Sequence, residues 1–217
     1  MSFLTIATTG KYEEIIKKSR FICHLAPPVE TEDEAKAIIA QVVADNPKAN
    51  HNCYAYLLGD TDQIQRASDN GEPSGTAGVP ILEVLKKNQL HNVVAVVTRY
   101  FGGIKLGAGG LIRAYSGTTA AAVEAIGIVE LVDFQLLDIQ IEYSQLDSLN
   151  YFLTTQNINI ENTEYGSQVK ITIAVRISEQ AKIISDLTNL LNGKLTVTKG
   201  PIKPVAVAYE KIIKKGN

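Results

Sequence analysis

The stretch that most constrains the fold is residues 93–98, whose sequence is VVAVVT. β-Branched residues favour strands. A strand with one face in water alternates apolar and polar side chains, whereas this run offers no polar face. The sequence therefore predicts a central strand buried on both faces. The glycine-rich segment 101–110 follows it, and small residues in the predicted helix 111–126 allow that helix to pack closely on the sheet.

The rest of the first 130 residues predicts a mixture of strands and helices around that strand. Thr31 and Glu34 stand in a capping-box arrangement ahead of apolar residues at helical spacing. Pro80 stands where a helix begins, because its missing N–H costs nothing there. The predicted elements are two strands within 12–29, a helix after Thr31, strands at 52–58 and 63–67, and a helix after Pro80.

From residue 134 the pattern predicts a second domain with the order βαββαβ, which is the ferredoxin-like arrangement. Ser144 and Ser178 stand where its two helices would be capped. A chain of 217 residues is long enough for two modest domains. The sequence therefore predicts an α+β protein with domains at 1–130 and 134–217.

Composition favours a cytoplasmic protein. No apolar run approaches the roughly 18 residues that a membrane helix needs, and the N-terminal sequence lacks a signal-peptide pattern. The two cysteines, Cys23 and Cys53, are too few for a disulfide framework. The net charge of −2 argues against coating nucleic acid by bulk attraction, so anion binding would have to be local.

Such a local site is predicted at the glycine-rich segment, because residues 99–113 contain Arg99, Lys105 and Arg113 and no acidic residue. Backbone amides gather around phosphates in strand–loop–helix segments of this kind. Two interpretations stay open at this point. The glycines supply positive φ angles and close helix–strand contact, or the segment binds an anion together with its three cations.

The common nucleotide-binding motifs are absent from this segment. Gly102 and Gly107 are followed by Ala108-Gly109 rather than Lys-Ser or Lys-Thr, so the segment is not a Walker A loop. Ile112 stands where the dinucleotide fingerprint requires its third glycine.

Other catalytic sites are also not indicated. The histidines His24, His51 and His91 lack metal-ligand spacing, so no metal and no cofactor are predicted. No G-x-S-x-G elbow surrounds any serine. The polar loop at 68–76 consists of turn-forming residues, but its length is typical of ordered loops that carry function.

The two loops together resemble the IMPACT family, in particular its bacterial YigZ-type members. The matching segments are RASDNGEPSGTAGVPI at 66–81 and VTRYFGGIKLGAGGLIRAYS at 97–116, with KSRF upstream at 18–21. The resemblance covers roughly residues 10–125. It implies an N-terminal domain like domain four of elongation factor G, a ribosomal-protein-type βαβ fold with a left-handed crossover. It also implies that the C-terminal domain is like domain five of that factor.

The resemblance implies a non-enzymatic protein that binds structured RNA or the ribosome. Its eukaryotic relatives regulate translation, which implies a protein partner in translation control as a further interpretation. Tyr100 or Phe101 would stack on an exposed base. The residues predicted to form this nucleic-acid or anion-binding site are Arg66, Ser68, Asp69, Asn70, Glu72, Ser74, Arg99, Tyr100, Phe101, Gly102, Gly103, Lys105, Gly107, Gly109, Gly110 and Arg113.

The alternative is a small-molecule-binding protein, or a hydrolase or peptidase, acting at the 68–76 and 101–110 loops. Asp69, Glu72 and the serines of the first loop would then face the glycine-rich segment. The sequence assigns no catalytic residue to this alternative.

Overall fold

The computed structural model describes residues 2–59 and 61–209. The chain divides into two compact units. An N-terminal unit contains Phe3–Glu130 and residues 206–209, and a C-terminal unit contains Leu131–Val205 and Ser2. Helices and antiparallel strands occur in both units, which confirms the predicted α+β class. The last residues of the predicted second domain, 210–217, lie outside the described residues.

The N-terminal unit contains every element that the sequence predicts there. One strand at the beginning of the chain was not predicted, and the last helix starts three residues before its predicted start. The elements are β1 (Ser2–Ile6), β2 (Gly10–Ile16), β3 (Ser19–Ala26), α1 (Glu32–Asp45), β4 (His51–Leu58), β5 (Ile64–Ser68), α2 (Gly78–Lys87), β6 (Val93–Tyr100) and α3 (Ala108–Ile126).

The predicted central strand is β6. It lies in the middle of a sheet with the order β2-β3-β6-β4-β5 and pairs antiparallel with both β3 and β4. Val93, Ala95 and Val97 pack in the core with α2 and α3. Val94 and Val96 pack on the opposite face with α1. The strand is therefore buried on both faces, as its sequence predicts.

The sheet contains two β-α-β crossovers of opposite hand. In the first, β3 and β4 are parallel because both are antiparallel to β6, and α1 connects them. In the second, β5 and β6 are parallel because both are antiparallel to β4, and α2 connects them. A rotation of 180° about an axis perpendicular to the sheet places β5 and β6 of the second crossover on β3 and β4 of the first. After this rotation α1 and α2 still lie on opposite faces of the sheet. One crossover is therefore left-handed, against the usual preference.

Local sequence signals account for the start of helix α1. The Thr31 hydroxyl accepts a hydrogen bond from the Glu34 amide at 3.2 Å, and the Glu34 carboxylate accepts one from the Thr31 amide at 3.3 Å. These two bonds form the predicted capping box. Pro80 is the third residue of α2 rather than its first.

The elements of the C-terminal unit follow the predicted order βαββαβ. They are β7 (Ile128–Ile141, whose first three residues belong to the N-terminal unit), α4 (Leu146–Thr155), β8 (Ile160–Tyr165), β9 (Val169–Arg176), α5 (Gln180–Leu190) and β10 (Thr196–Ala208). Their strand order is β10-β7-β9-β8. Alternate residues of β7 and β9, such as Ile139 and Ile171, form one core with Leu149 of α4 and Leu187 of α5.

Both helices of the C-terminal unit begin differently from the prediction. Short 3₁₀ turns at Tyr143–Gln145 and Ile177–Glu179 precede them, so Ser144 and Ser178 lie within turns rather than at caps. Glu142 and Gln145 make the reciprocal capping bonds at the first of these turns. Among residues 2–59 and 61–209, no helix is long and apolar enough to cross a membrane.

Candidate functional site

A buried ion pair lies at the end of the central strand. Nη1 of Arg99 is 2.6 Å from Oε1 of Glu72, and the two side chains are only 6% and 4% exposed. The Tyr115 hydroxyl donates to the same carboxylate oxygen at 2.8 Å. Nη2 of Arg99 donates to the Ser19 hydroxyl at 3.3 Å. Burying a charge without a partner costs several kcal/mol, so each charge here requires the other.

The Arg99 guanidinium also contacts two aromatic rings. Its central carbon is 5.4 Å from the ring centroid of Phe21 and 5.6 Å from that of Phe101. These distances are those of cation–π contacts. The Nε atom of Arg99 is buried and has no hydrogen-bond partner among the described residues.

This environment corrects the predicted role of Arg99. Arg99 was predicted to contact phosphate, but its charge is neutralised by Glu72 and its side chain is buried. Arg99 instead joins the end of β6, the 68–76 loop and the start of β3. Glu72, predicted to face a ligand, is likewise buried, so neither charge is available at the surface.

His51 and Cys53 of β4 hold the polar loop from the same face of the sheet. His51 Nδ1 is 2.9 Å from the Asn70 carbonyl oxygen. Because a carbonyl only accepts, Nδ1 carries the proton. The other ring nitrogen, Nε2, is 3.9 Å from Oε2 of Glu72. The Cys53 thiol donates to the Asp69 carbonyl at 2.9 Å.

The contact of His51 and Cys53 with the loop was not predicted from the sequence. The alternation of the strand places both side chains on one face, but it does not indicate that they contact Asn70 and Asp69, which are 19 and 16 residues away. In the described part of the chain, no group of three metal-ligating side chains occurs.

Asp69 is used to begin helix α2. Its carboxylate accepts hydrogen bonds from the amides of Gly75, Ala77 and Gly78 at 2.8 to 2.9 Å. Burial tends to raise the pKa of this carboxyl, but the three amides together hold its pKa below the usual value. Ala77, the residue at the N-cap, has no side-chain hydrogen bond, so Asp69 supplies the negative charge that a helix start favours.

The other polar residues of the 68–76 loop are turn residues or exposed. The Ser68 hydroxyl accepts from the Asn70 amide at 3.3 Å, and Asn70 Oδ1 accepts from the Asn52 amide at 3.4 Å. Ser74 is exposed and forms no hydrogen bond within the described residues. The loop is thus fixed from inside by Asp69, Asn70 and Glu72.

Arg66 and Tyr100 lie on the opposite face of the sheet from this cluster, which corrects their predicted place in one surface with Arg99. Arg66 forms an ion pair with Glu32 of α1 at 3.4 Å. The Tyr100 hydroxyl donates to Asn46 at the end of α1 at 2.9 Å. The two-residue period of a strand explains the difference for Tyr100, because neighbours such as Arg99 and Tyr100 point to opposite faces.

The glycine-rich segment is anchored where it leaves β6. The Phe101 amide donates to Oδ1 of Asn50 at 2.7 Å, and the Gly102 amide donates to the Ser19 hydroxyl at 3.3 Å. A methyl group at Gly102 would collide with the carbonyl oxygen of Lys18. Gly102 therefore allows the β2–β3 turn to approach the segment.

The remaining glycines of the segment lead into α3. Gly107 is the N-cap residue of α3 and has a φ of 70°, which favours glycine. Gly103 also has a positive φ, and Gly109 and Gly110 lie in the first turn of α3. These positions fit the conformational interpretation of the glycines, and they leave the anion-binding interpretation open.

Four exposed cations surround this segment, and we call them the cationic surface: Lys17, Lys18, Lys105 and Arg113. None forms an ion pair or hydrogen bond within the described residues. The Arg113 guanidinium lies beside Gly109 in the first turn of α3, where no acidic side chain and no side-chain cap occur.

Lys17 and Lys18 were not predicted to belong to the site. They form the β2–β3 turn with φ angles of 44° and 65°, a conformation that costs non-glycine residues roughly 1–2 kcal/mol each. Two-residue hairpin turns favour asparagine and glycine. A pair of lysines in such a turn is unusual, and it is the sequence feature that could have indicated these two residues.

The two thiols are unsuited to nucleophilic chemistry. Burial raises the pKa of Cys23 and of Cys53 to about 12. A thiol attacks as its thiolate, so at neutral pH both remain protonated. Burial also raises the pKa of the Tyr115 hydroxyl, which stays a hydrogen-bond donor to Glu72.

The fold and site together define a two-unit α+β protein with an internally neutralised ion pair beneath an exposed cationic surface. The family model described as the Impact N-terminal domain matches residues 17–123, and the model described as Domain of unknown function (DUF1949) matches residues 139–194. The chain belongs to the IMPACT family, which confirms the resemblance drawn from the two loops.

Relatives of similar length occur in bacteria. The IMPACT family member YvyE of Bacillus subtilis is 43% identical over 201 residues, which cover 93% of this chain and 92% of that protein. The IMPACT family member YigZ of Escherichia coli is 36% identical, over 89% of this chain and 96% of that protein. A crystal structure described as that of a hypothetical protein has a TM-score of 0.59 and 34% identity, covering 97% of this chain and 98% of that one.

The relationship to eukaryotic members is confined to one part of the chain. Protein IMPACT of Rattus norvegicus is 37% identical over 97 residues, which cover 42% of this chain and 29% of that protein.

We predict that Glu72→Gln destabilises the protein by roughly 3–5 kcal/mol, because it leaves the Arg99 charge buried without a counter-charge. Urea unfolding measures the change. The matched control Glu83→Gln, at an exposed residue paired with Lys86, should cost less than about 1 kcal/mol. The double variant Arg99→Met/Glu72→Met should recover much of the loss. Equal losses in Glu72→Gln and Glu83→Gln would contradict the ion-pair assignment.

We also predict a pH dependence for Asp69. The pKa of Asp69 in the folded protein lies below its unfolded value of about 3.9. Its contribution to the free energy of unfolding is therefore complete above that value and is lost as pH falls through the folded pKa. Asp69→Asn should therefore cost about 1 kcal/mol at neutral pH, and its difference from wild type should shrink below about pH 4. Unfolding at a series of pH values measures this. A difference that stays constant into the acid range would refute the assignment.

Proposed function

We propose that this protein is a non-enzymatic binding protein that docks on structured RNA or a ribosomal surface through the cationic surface. The observation that carries the proposal is that Lys17, Lys18, Lys105 and Arg113 are exposed around one loop and have no counter-charge within the described residues. Phosphate groups are the partners that exposed lysine and arginine side chains favour.

The acidic residues of the polar loop at 68–76 do not oppose this use. Glu72 is buried against Arg99, and both oxygens of Asp69 accept backbone amides. The negative charge of the polar loop is therefore used inside the protein. A chain with a net charge of −2 thus presents a local basic surface.

The start of α3 adds a second source of attraction for anions. The first amides of a helix have no intrahelical partner and carry part of the helix dipole. In α3 no side chain caps them, and the Arg113 guanidinium lies beside Gly109. A phosphate placed there would accept backbone amides and a guanidinium donor together.

The alternative of a hydrolase or small-molecule site has less support. Its candidate carboxylates, Asp69 and Glu72, already have hydrogen-bond partners inside the protein. Ser74 is exposed and has no base within hydrogen-bond distance among the described residues. Nucleophilic catalysis by serine requires such a base.

We further propose that the N-terminal domain, 1–130, is like domain four of elongation factor G and that the domain at 134–217 is ferredoxin-like. The left-handed crossover supports the first assignment, and the strand order β10-β7-β9-β8 supports the second. Both kinds of domain occur in a translation factor, which supports a cytoplasmic role in translation control. A protein partner in that process is the competing outcome.

We predict that binding to an RNA hairpin with a single-stranded loop weakens steeply between about 50 and 200 mM salt. Lys105→Glu/Arg113→Glu should weaken binding at every salt concentration and reduce the slope of log K against log salt by about 1.4–1.8, since each of the two lost phosphate contacts contributes about 0.7–0.9. Fluorescence anisotropy of the labelled RNA measures both quantities.

The control is Lys86→Glu/Lys87→Glu, which changes the net charge equally. Lys87 lines a groove beside Val123 and Glu124, near the far end of α3, about 20 Å from its first turn. This control should retain most of the affinity. If both double variants weaken binding alike, or if wild type retains no RNA at low salt, the proposed function fails.

A further inference from the structure

We infer that the partner presents an unpaired nucleobase to Phe101, so that the protein recognises a single-stranded loop or end rather than a continuous duplex. This inference rests on the proposed function and names the kind of nucleic acid that the cationic surface receives. It depends on three features: the exposure of Phe101, the buried groups that hold it and the cations beside it.

Phe101 is exposed, yet its position is fixed. The residue is 46% exposed. Its own amide donates to Asn50, and the next amide donates to Ser19. Gly102 packs directly against the carbonyl of Lys18, which constrains the chain after the ring. An exposed aromatic side chain held in this way loses little conformational entropy when a partner stacks on it.

The inner side of the Phe101 ring is occupied by the guanidinium of Arg99. That guanidinium also contacts a second ring, because its central carbon is 5.4 Å from the ring centroid of Phe21. Glu72 and Ser19 fix its orientation by hydrogen bonds. Arg99 is therefore a positioning residue for Phe101. The outer side of the ring is the part left for a ligand.

Cations of two segments accompany this ring. Lys17 and Lys18 come to it through the contact of their turn with Gly102. Lys105 lies four residues beyond Phe101, before the first turn of α3. A nucleotide whose base stacks on Phe101 carries flanking phosphates, and the cations of these two segments are available to receive them.

The flat face of a base is accessible only when that base is unpaired or lies at an end. Bases inside a duplex stack on one another and present only their edges. Base stacking on aromatic side chains is therefore typical of single-stranded recognition. Tyr100 does not take this role, because its hydroxyl is bonded to Asn46 on the opposite face of the sheet.

The chain contains no tryptophan, which allows a direct test. Phe101→Trp introduces a single indole whose fluorescence a stacked base quenches. The probes are a short oligoadenylate and the same strand annealed to oligouridylate as a duplex. We expect quenching by the single strand and little by the duplex. Tyr151→Trp, at a residue 74% exposed on α4, is the matched control and should not be quenched.

Affinity gives an independent readout. Phe101→Ala should weaken binding of the single strand by roughly 5- to 150-fold, the loss expected from one base stacked on an aromatic side chain. Phe101→Tyr should restore most of that binding. Circular dichroism checks that each variant is folded, and the Phe101→Trp titration does not depend on the alanine variant.

The outcomes separate this inference from the proposed function. If Lys105→Glu/Arg113→Glu abolishes RNA binding while Phe101→Ala and Phe101→Trp report no stacking, the inference is overturned and the proposed function stands. Preferential binding of the duplex would likewise overturn the inference and leave the proposed function standing. If neither RNA binds at low salt, both proposals fail, and the exposed ring belongs to an interface with a protein.

Discussion

The buried ion pair of Arg99 and Glu72 is the interaction on which the rest of the N-terminal unit depends. Each charge is almost fully removed from water, and neither is tolerable there alone. The pair connects segments that lie far apart in the sequence, because Glu72 is 27 residues from Arg99 and Ser19 is 80 residues from it. The polar loop and the glycine-rich segment are joined through it.

This pair also explains why the cationic surface is basic although the chain carries a small net negative charge. The acid of the polar loop that could neutralise a surface cation is turned inward by Arg99, and Asp69 is turned inward by α2. The lysines and Arg113 that remain outside form no ion pair within the described residues. The surface is therefore basic because the acidic side chains of the polar loop are turned inward, and not because basic residues outnumber acidic ones in the chain.

The local features of the fold could be predicted from the sequence. The apolar run 93–98 predicted the central strand, and Thr31 with Glu34 predicted a helix start that the structure shows in both hydrogen bonds. These signals depend on neighbouring residues alone. The IMPACT resemblance also implied a left-handed crossover, which no local pattern would favour.

The candidate site could be predicted only in part, because its arrangement depends on long-range contacts. Arg99, Lys105 and Arg113 share one charged segment, but only the strand pairing shows that Arg99 points into the core. Arg66 lies on the other face because β5 pairs with β4 in a register that sets it opposite Tyr56. The backbone strain at Lys17 and Lys18 has no signature in composition.

The most direct test of this account is amide hydrogen exchange in the Glu72→Gln variant. If the ion pair holds both loops, the amides of Phe101 and Gly102 should exchange faster together with those of Gly75, Ala77 and Gly78, while β9 of the C-terminal unit remains protected. Faster exchange confined to the 68–78 segment, with the Phe101 and Gly102 amides unchanged, would contradict the account.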